Sequence, residues 1–285
     1  PGARSLKHVF RIIRFIHSKL NIEKHYLDEY KKLKADYTEL KERITRGFEL
    51  HEYPELFNRL FSEGRRLTYF NIIIPLLMQY HNKKLKKKLS KLGADYELLN
   101  FNEDFPELEE LTPTLAMNRI RSQFETLPPG IRDNNKSLEE LLLLPEAAAL
   151  KDAFNGFMKS FGHLSDSGND FSVSKWEEYP ELLFGLIRQS PGVPANRKLV
   201  GFNELRSSKA GYKRLNRLYQ KAGRYKVYRE EISSLYVYGY GLFRYLFLGL
   251  GKEFKDRGII GSTEDIFYLT REEVDEIVGT INEKN

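Results

Sequence analysis

The stretch Tyr26-Leu27-Asp28-Glu29-Tyr30-Lys31-Lys32-Leu33-Lys34-Ala35-Asp36-Tyr37-Thr38-Glu39-Leu40-Lys41-Glu42-Arg43-Ile44-Thr45-Arg46-Gly47-Phe48 decides the fold class. Its residues Tyr26, Tyr30, Leu33, Tyr37, Leu40, Ile44 and Phe48 follow one another at intervals of 4, 3, 4, 3, 4 and 4, with charged residues between them. That spacing draws a single apolar stripe down a long helix, and the stripe needs an antiparallel helix to cover it. Tyr69 to Leu92 is the expected partner, interrupted at Pro75 and ended by Gly93 in the usual C-terminal capping place. Residues 1–95 are therefore read as a helical hairpin region. Upstream, Val9, Ile12, Ile13, Ile16 and Leu20 oppose Lys7, Arg11 and Arg14 with no acid before Glu23, which predicts a first amphipathic helix.

The remainder, residues 96–285, reads as a second helical region, continuous with the first or divided softly near the Ser190 to Phe202 loop. A helix is expected from Pro106 to Leu127, stopped by Pro128, Pro129 and Gly130. Another starts at Ser137, where Glu140 completes a capping box, and continues past a break at Pro145 to Ser160. Gly162 to Ser174 is a loop, Glu204 to about Arg257 is helical, and a short extended piece at Asp265 to Leu269 precedes a last helix capped by Thr270 and Glu273. Glu52-Tyr53-Pro54-Glu55-Leu56-Phe57 is echoed at Glu178 and, more faintly, at Asp104; these are helix starts with proline in the first turn rather than a solenoid repeat. The fold class is all-α or nearly so.

The 285 residues are 41% hydrophobic and 30% charged, which excludes disordered and fibrous classes. No apolar run approaches the ~18 residues a membrane span needs, so no membrane partner is expected. Absence of cysteine excludes disulfides and thiolate chemistry and fits a cytoplasmic protein. The net charge of +6 is clustered. Six lysines lie between Lys83 and Lys91, facing an acidic stretch from Glu97 to Glu110 that can neutralise part of them. Nine cations lie between Arg206 and Arg229, interleaved with Tyr212, Tyr219, Tyr225 and Tyr228. Single-stranded nucleic acid binders use that composition, but the tyrosines also recur at helical spacing, and a buried stripe with a solvated basic face is the preferred reading.

Two polar constellations could carry chemistry. The loop from Phe161 to Ser172, with Lys175-Trp176 behind it, offers His163, Asp166, Asn169, Asp170 and Ser172. An imidazole and two carboxylates can move protons, so His163 and Asp166 are the candidate catalytic residues. Arg229-Glu230-Glu231 followed by Tyr236, Tyr240 and Arg244 offers hydroxyls and guanidiniums on a helix. Loop and helix together could hold an anionic or phosphorylatable ligand through Asn169, Asp170, Ser172, Trp176, Arg229, Tyr236, Tyr240 and Arg244. This predicts one pocket in which His163 or Asp170 approaches Arg229, Tyr236 or Arg244. No zinc-type histidine spacing and no complete dinucleotide glycine motif is present; Gly239 and Gly241 are read as sites of close helix packing.

These constellations, in order with Gly249-Leu250-Gly251 and Glu264-Asp265-Ile266-Phe267-Tyr268-Leu269-Thr270, resemble phosphoenolpyruvate-utilising enzymes of the rifampicin phosphotransferase and phosphoenolpyruvate synthase type. The likeness covers about Leu98 to Val278 and corresponds to the helical region between their nucleotide-binding and phosphohistidine domains. It implies an acceptor-binding domain of an ATP-driven phosphotransferase, inactive alone. Such a domain binds no cofactor itself; ATP and magnesium belong to an ATP-grasp partner domain, and a swivelling phosphohistidine domain delivers the phosphoryl group. The family loop usually reads Gly-His-Arg, whereas Leu164 follows His163 here, and no phosphohistidine motif is found. The alternatives are a non-catalytic binding or scaffold protein derived from that family and, third, a nucleic-acid-binding helical protein.

Overall fold

The computed structural model describes residues 22–132, 136–168, 170–189, 199–205 and 209–284. The expected first helix before Ile22, most of the Ser190 to Phe202 loop, and Asn169 lie outside them. Among the described residues there is no β-strand, only a parallel bridge between Leu99 and Val200. We label the longer helices α1 (Ile22–Arg46), α2 (Tyr53–Ser90), α3 (Pro113–Glu125), α4 (Ala148–Phe161), α5 (Pro180–Gln189), α6 (Lys209–Asp256) and α7 (Arg271–Lys284). The fold is all-α. No described helix is long and apolar enough to cross a membrane.

The apolar stripe of α1 is buried at Tyr26, Leu33, Tyr37, Leu40 and Ile44. Ion pairs Arg43–Glu55, Arg59–Glu39 and Arg66–Glu29 join α1 to α2 in antiparallel register, one sequence number rising as the other falls. α2 is longer than Tyr69 to Leu92: it starts at Tyr53, with Pro54 in the first turn where no N–H is needed, and runs through Pro75 to Ser90. The largest packing surface of both belongs to α6, a 48-residue helix about 70 Å long that serves as the spine. Gly239 on α6 lies against Tyr37, and a Cβ there would overlap the Tyr37 ring.

There are three apolar cores, two of them built on this spine. The largest joins α1 and α2 to the second half of α6 and to α7, so residues 22–74 and 225–278 are buried against one another. The second is formed by α3, α4 and α5 with the Leu138–Leu142 helix. The third gathers Leu85 and Leu89 of α2, Phe101, Phe105 and Phe202 against Leu215, Tyr219 and Ala222 of α6. Tyr219, Tyr225 and Tyr228, the rings interleaved with the basic stretch, are therefore core residues. Lys221 pairs with Glu23, Arg224 with Glu107 and Arg229 with Glu230, and Lys86 with Glu97 from the acidic stretch.

Two expectations are corrected. The helix expected from Pro106 to Leu127 breaks: a short helix Glu107–Glu110 ends at Leu111, Thr112 is extended with φ −108° and ψ 104°, and α3 begins at Pro113. Proline disfavours the helical conformation at the residue before it, and Thr112 takes the extended one at the break. The Asp265 to Leu269 piece is not extended; Thr263–Tyr268 is a 3₁₀-helix, because the Asp265 carboxylate accepts from the Ser262 N–H and hydroxyl and from the Gly261 N–H and so caps a helical start. The capping boxes at Ser137 with Glu140 and at Thr270 with Glu273 form.

Candidate functional site

The loop after α4 is closed by two backbone hydrogen bonds, Trp176 N–H to the Leu164 carbonyl and Glu177 N–H to the Gly162 carbonyl, both 2.9 Å. Gly168 turns it with φ +69°, a conformation only glycine adopts without strain. Asp170 accepts from the Ser172 hydroxyl at 2.6 Å and its N–H at 2.9 Å, an Asx turn that holds the carboxyl below its ordinary range. Asp166 accepts from the indole N–H of Trp176 at 3.0 Å, and that indole stacks on Phe157. Asp166 with Trp176 and Asp170 with Ser172 thus bind as two pairs within the protein.

His163 packs edge-on against Tyr238 with ring centroids 5.3 Å apart. Burial first, then Lys175 and Lys41 nearby, pushes its pKa down to about 4, against a smaller opposing effect from the Ser234 backbone. Its Nε2 has no hydrogen-bond partner among the described residues. Lys175 is buried as well, with its pKa lowered by burial and by Arg244.

Arg244 is where loop and spine meet. It is wholly buried, and its donors are all used inside the protein. Nε and one terminal nitrogen grip the Glu178 carboxylate at 2.7 and 2.8 Å; the other terminal nitrogen donates to the Ser172 carbonyl at 2.7 Å and the Phe171 carbonyl at 3.4 Å. Ser174 and Glu264, each at 3.2 Å, complete the shell. Burial pushes Glu178 up, but the Arg244 hydrogen bonds and the Lys175 N–H hold it below the ordinary carboxylate range. Arg229 sits 15 residues earlier, about 22 Å along the same helix, beside a separate cavity lined by Leu99, Phe101 and Lys226. Neither His163 nor Asp170 bonds to Arg229, Tyr236 or Arg244 among the described residues.

Beside this node lies an open cavity of about 330 Å³. Phe57 and Phe61 of α2, Phe171 of the loop, Tyr240, Phe243 and Phe247 of α6 and Phe267 form its aromatic wall, with Leu269, Arg271 and Val274 at the C-terminal side. Phe171 stacks on Phe247 at 5.5 Å and touches Tyr240, Phe243 and Phe267 within 6.2 Å. Tyr236 stacks on Tyr240 from behind. The Phe267 ring separates the cavity from Arg244, whose guanidinium lies 5.3 Å from it. Arg271 lies 4.2 Å over Phe57 and pairs with Asp275 at 3.4 Å, its side chain about half exposed at 52%. Of the sequence candidates among the described residues, only Tyr240 lines this cavity. The missed residues carried a signal in the i, i+4 aromatic pairs Phe57/Phe61 and Phe243/Phe247, but nothing in one sequence shows that these pairs converge.

No protein-family model matches the chain, and no curated protein is similar to it in sequence.

Proposed function

We propose that this chain is a helical binding domain whose aromatic cavity holds an apolar, ring-bearing small molecule. In an ATP-driven phosphotransferase of the type its motifs resemble, that molecule would be the acceptor, and ATP, magnesium and the phosphohistidine would come from partner domains. The observation that carries the reading is the cavity wall of seven aromatic rings with one half-exposed guanidinium at its edge. Aromatic walls bind flat apolar bodies by contact area and ring–ring geometry, and Arg271 can pair with an anionic substituent. His163 and Asp166 do not line the cavity, so its chemistry is that of holding a ligand.

The test uses anilinonaphthalene sulfonate, a fused ring carrying one anion. The chain should bind it saturably at one site. Phe61→Ala, at a position already 52% exposed, should weaken binding by about two- to tenfold, the worth of one aromatic contact. Leu269→Trp, which fills the cavity, should abolish it while the helical circular dichroism is kept. Binding unchanged in both variants would overturn the reading.

A further inference from the structure

The outward face of α2 carries a second apolar feature, independent of the cavity. Tyr69, Ile72, Leu76 and Tyr80 are 44%, 59%, 55% and 52% exposed and stand at intervals of 3, 4 and 4, so they form one straight ridge. The buried residues of the same helix, Leu67, Phe70 and Ile74, face the opposite way. Continuing the register places Arg65 before the ridge and Lys83 and Lys87 after it on the same face, all exposed. Lys84 covers the Tyr80 ring at 4.2 Å. Lys83 and Lys87 make no ion pair among the described residues, and α2 carries no acid between Arg65 and Lys87.

We propose that this ridge docks on an anionic lipid surface. Two observations select that partner. The face is cationic at both ends and apolar between, the order in which lysines meet headgroups while aliphatic side chains enter the acyl boundary and tyrosines sit at the level between them. It is convex, projecting away from the core, which suits a broad plane better than a ligand that must be enclosed. The contact is peripheral, and no span of the bilayer is involved.

The test is flotation of the whole chain with phosphatidylcholine vesicles, with and without phosphatidylserine, at low and physiological salt. The chain should float with the phosphatidylserine vesicles only. Lys83→Glu/Lys87→Glu and Ile72→Ser/Leu76→Ser should each reduce binding at least about tenfold with helical content unchanged, because charge and apolar insertion are both required. The serine variant should still bind anilinonaphthalene sulfonate, which separates this face from the cavity. No flotation with anionic vesicles, or flotation that survives the serine variant, would overturn the proposal. So would a dimer in light scattering that the serine variant dissociates, since the ridge would then be a contact between copies.

Discussion

Replacing Arg244 by methionine tests whether that residue holds the fold. Methionine keeps the length and the apolar stem but removes the charge and every donor. Glu178 then loses two bonds at 2.7 and 2.8 Å, and the Ser172 carbonyl loses its donor at 2.7 Å. The surrounding residues remain, so a partly buried carboxylate is left beside an apolar side chain. Removing one member of a buried ion pair costs about 3–5 kcal/mol, which in a chain of this size lowers Tm by roughly 6–20 °C. Urea unfolding followed by circular dichroism should show a lower midpoint at unchanged slope. The double variant Glu178→Gln/Arg244→Met should recover at least about 1 kcal/mol of the loss, because the stranded charge is gone. If Arg244→Met alone lies within about 1 kcal/mol of the parent chain, the buried network contributes little and Arg244 does not hold the fold.

Acid should destabilise the chain through His163. The folded pKa is held near 4 and the ordinary value is 6.5, so below pH 6.5 the unfolded chain takes up the proton first. The stability present above pH 6.5 is lost as pH falls toward 4, by up to about 3 kcal/mol, and His163→Phe should flatten that part of a urea-midpoint profile; an unchanged profile would count against a buried neutral imidazole. Gly239→Ala should destabilise by about 1–3 kcal/mol, because the new methyl meets the buried Tyr37 ring, and a stability equal to the parent would show that the two helices do not approach so closely.

The α1 stripe was legible because helical burial follows a period that a single sequence displays, and its members Tyr26, Leu33, Tyr37, Leu40 and Ile44 are buried. The helix starts at Pro54 and Pro180 and the caps at Ser137 and Thr270 were legible for a related reason: capping is local chemistry within four residues. The Thr112 break needed only attention to Pro113, and the Asp265 cap only a reading of its carboxylate as an amide acceptor. The partners of Arg244 were of another kind. Glu178 and Glu264 lie 66 and 20 residues away, and a guanidinium whose donors are consumed inside the protein looks, in sequence, the same as one that waits for a ligand. Burial separates the two cases, and burial of a charge depends on long-range packing.

Phe171 joins the legible residues to the illegible cavity. Its carbonyl accepts from Arg244, and Arg244 is oriented by Glu178, so the backbone of the loop is fastened to the spine at that point. Its ring then stacks on Phe247 and closes one side of the aromatic wall. On the other flank Glu264 ties Arg244 to the segment that carries Phe267, so both rings that stand between the buried charges and the cavity hang from the same guanidinium. The polar residues that stand out in the sequence therefore act one layer behind the cavity, positioning Phe171 and Phe267. The residues that line the cavity are mostly aromatic ones from four separate segments, 57–61, 171, 240–247 and 267, each of which alone reads as ordinary core.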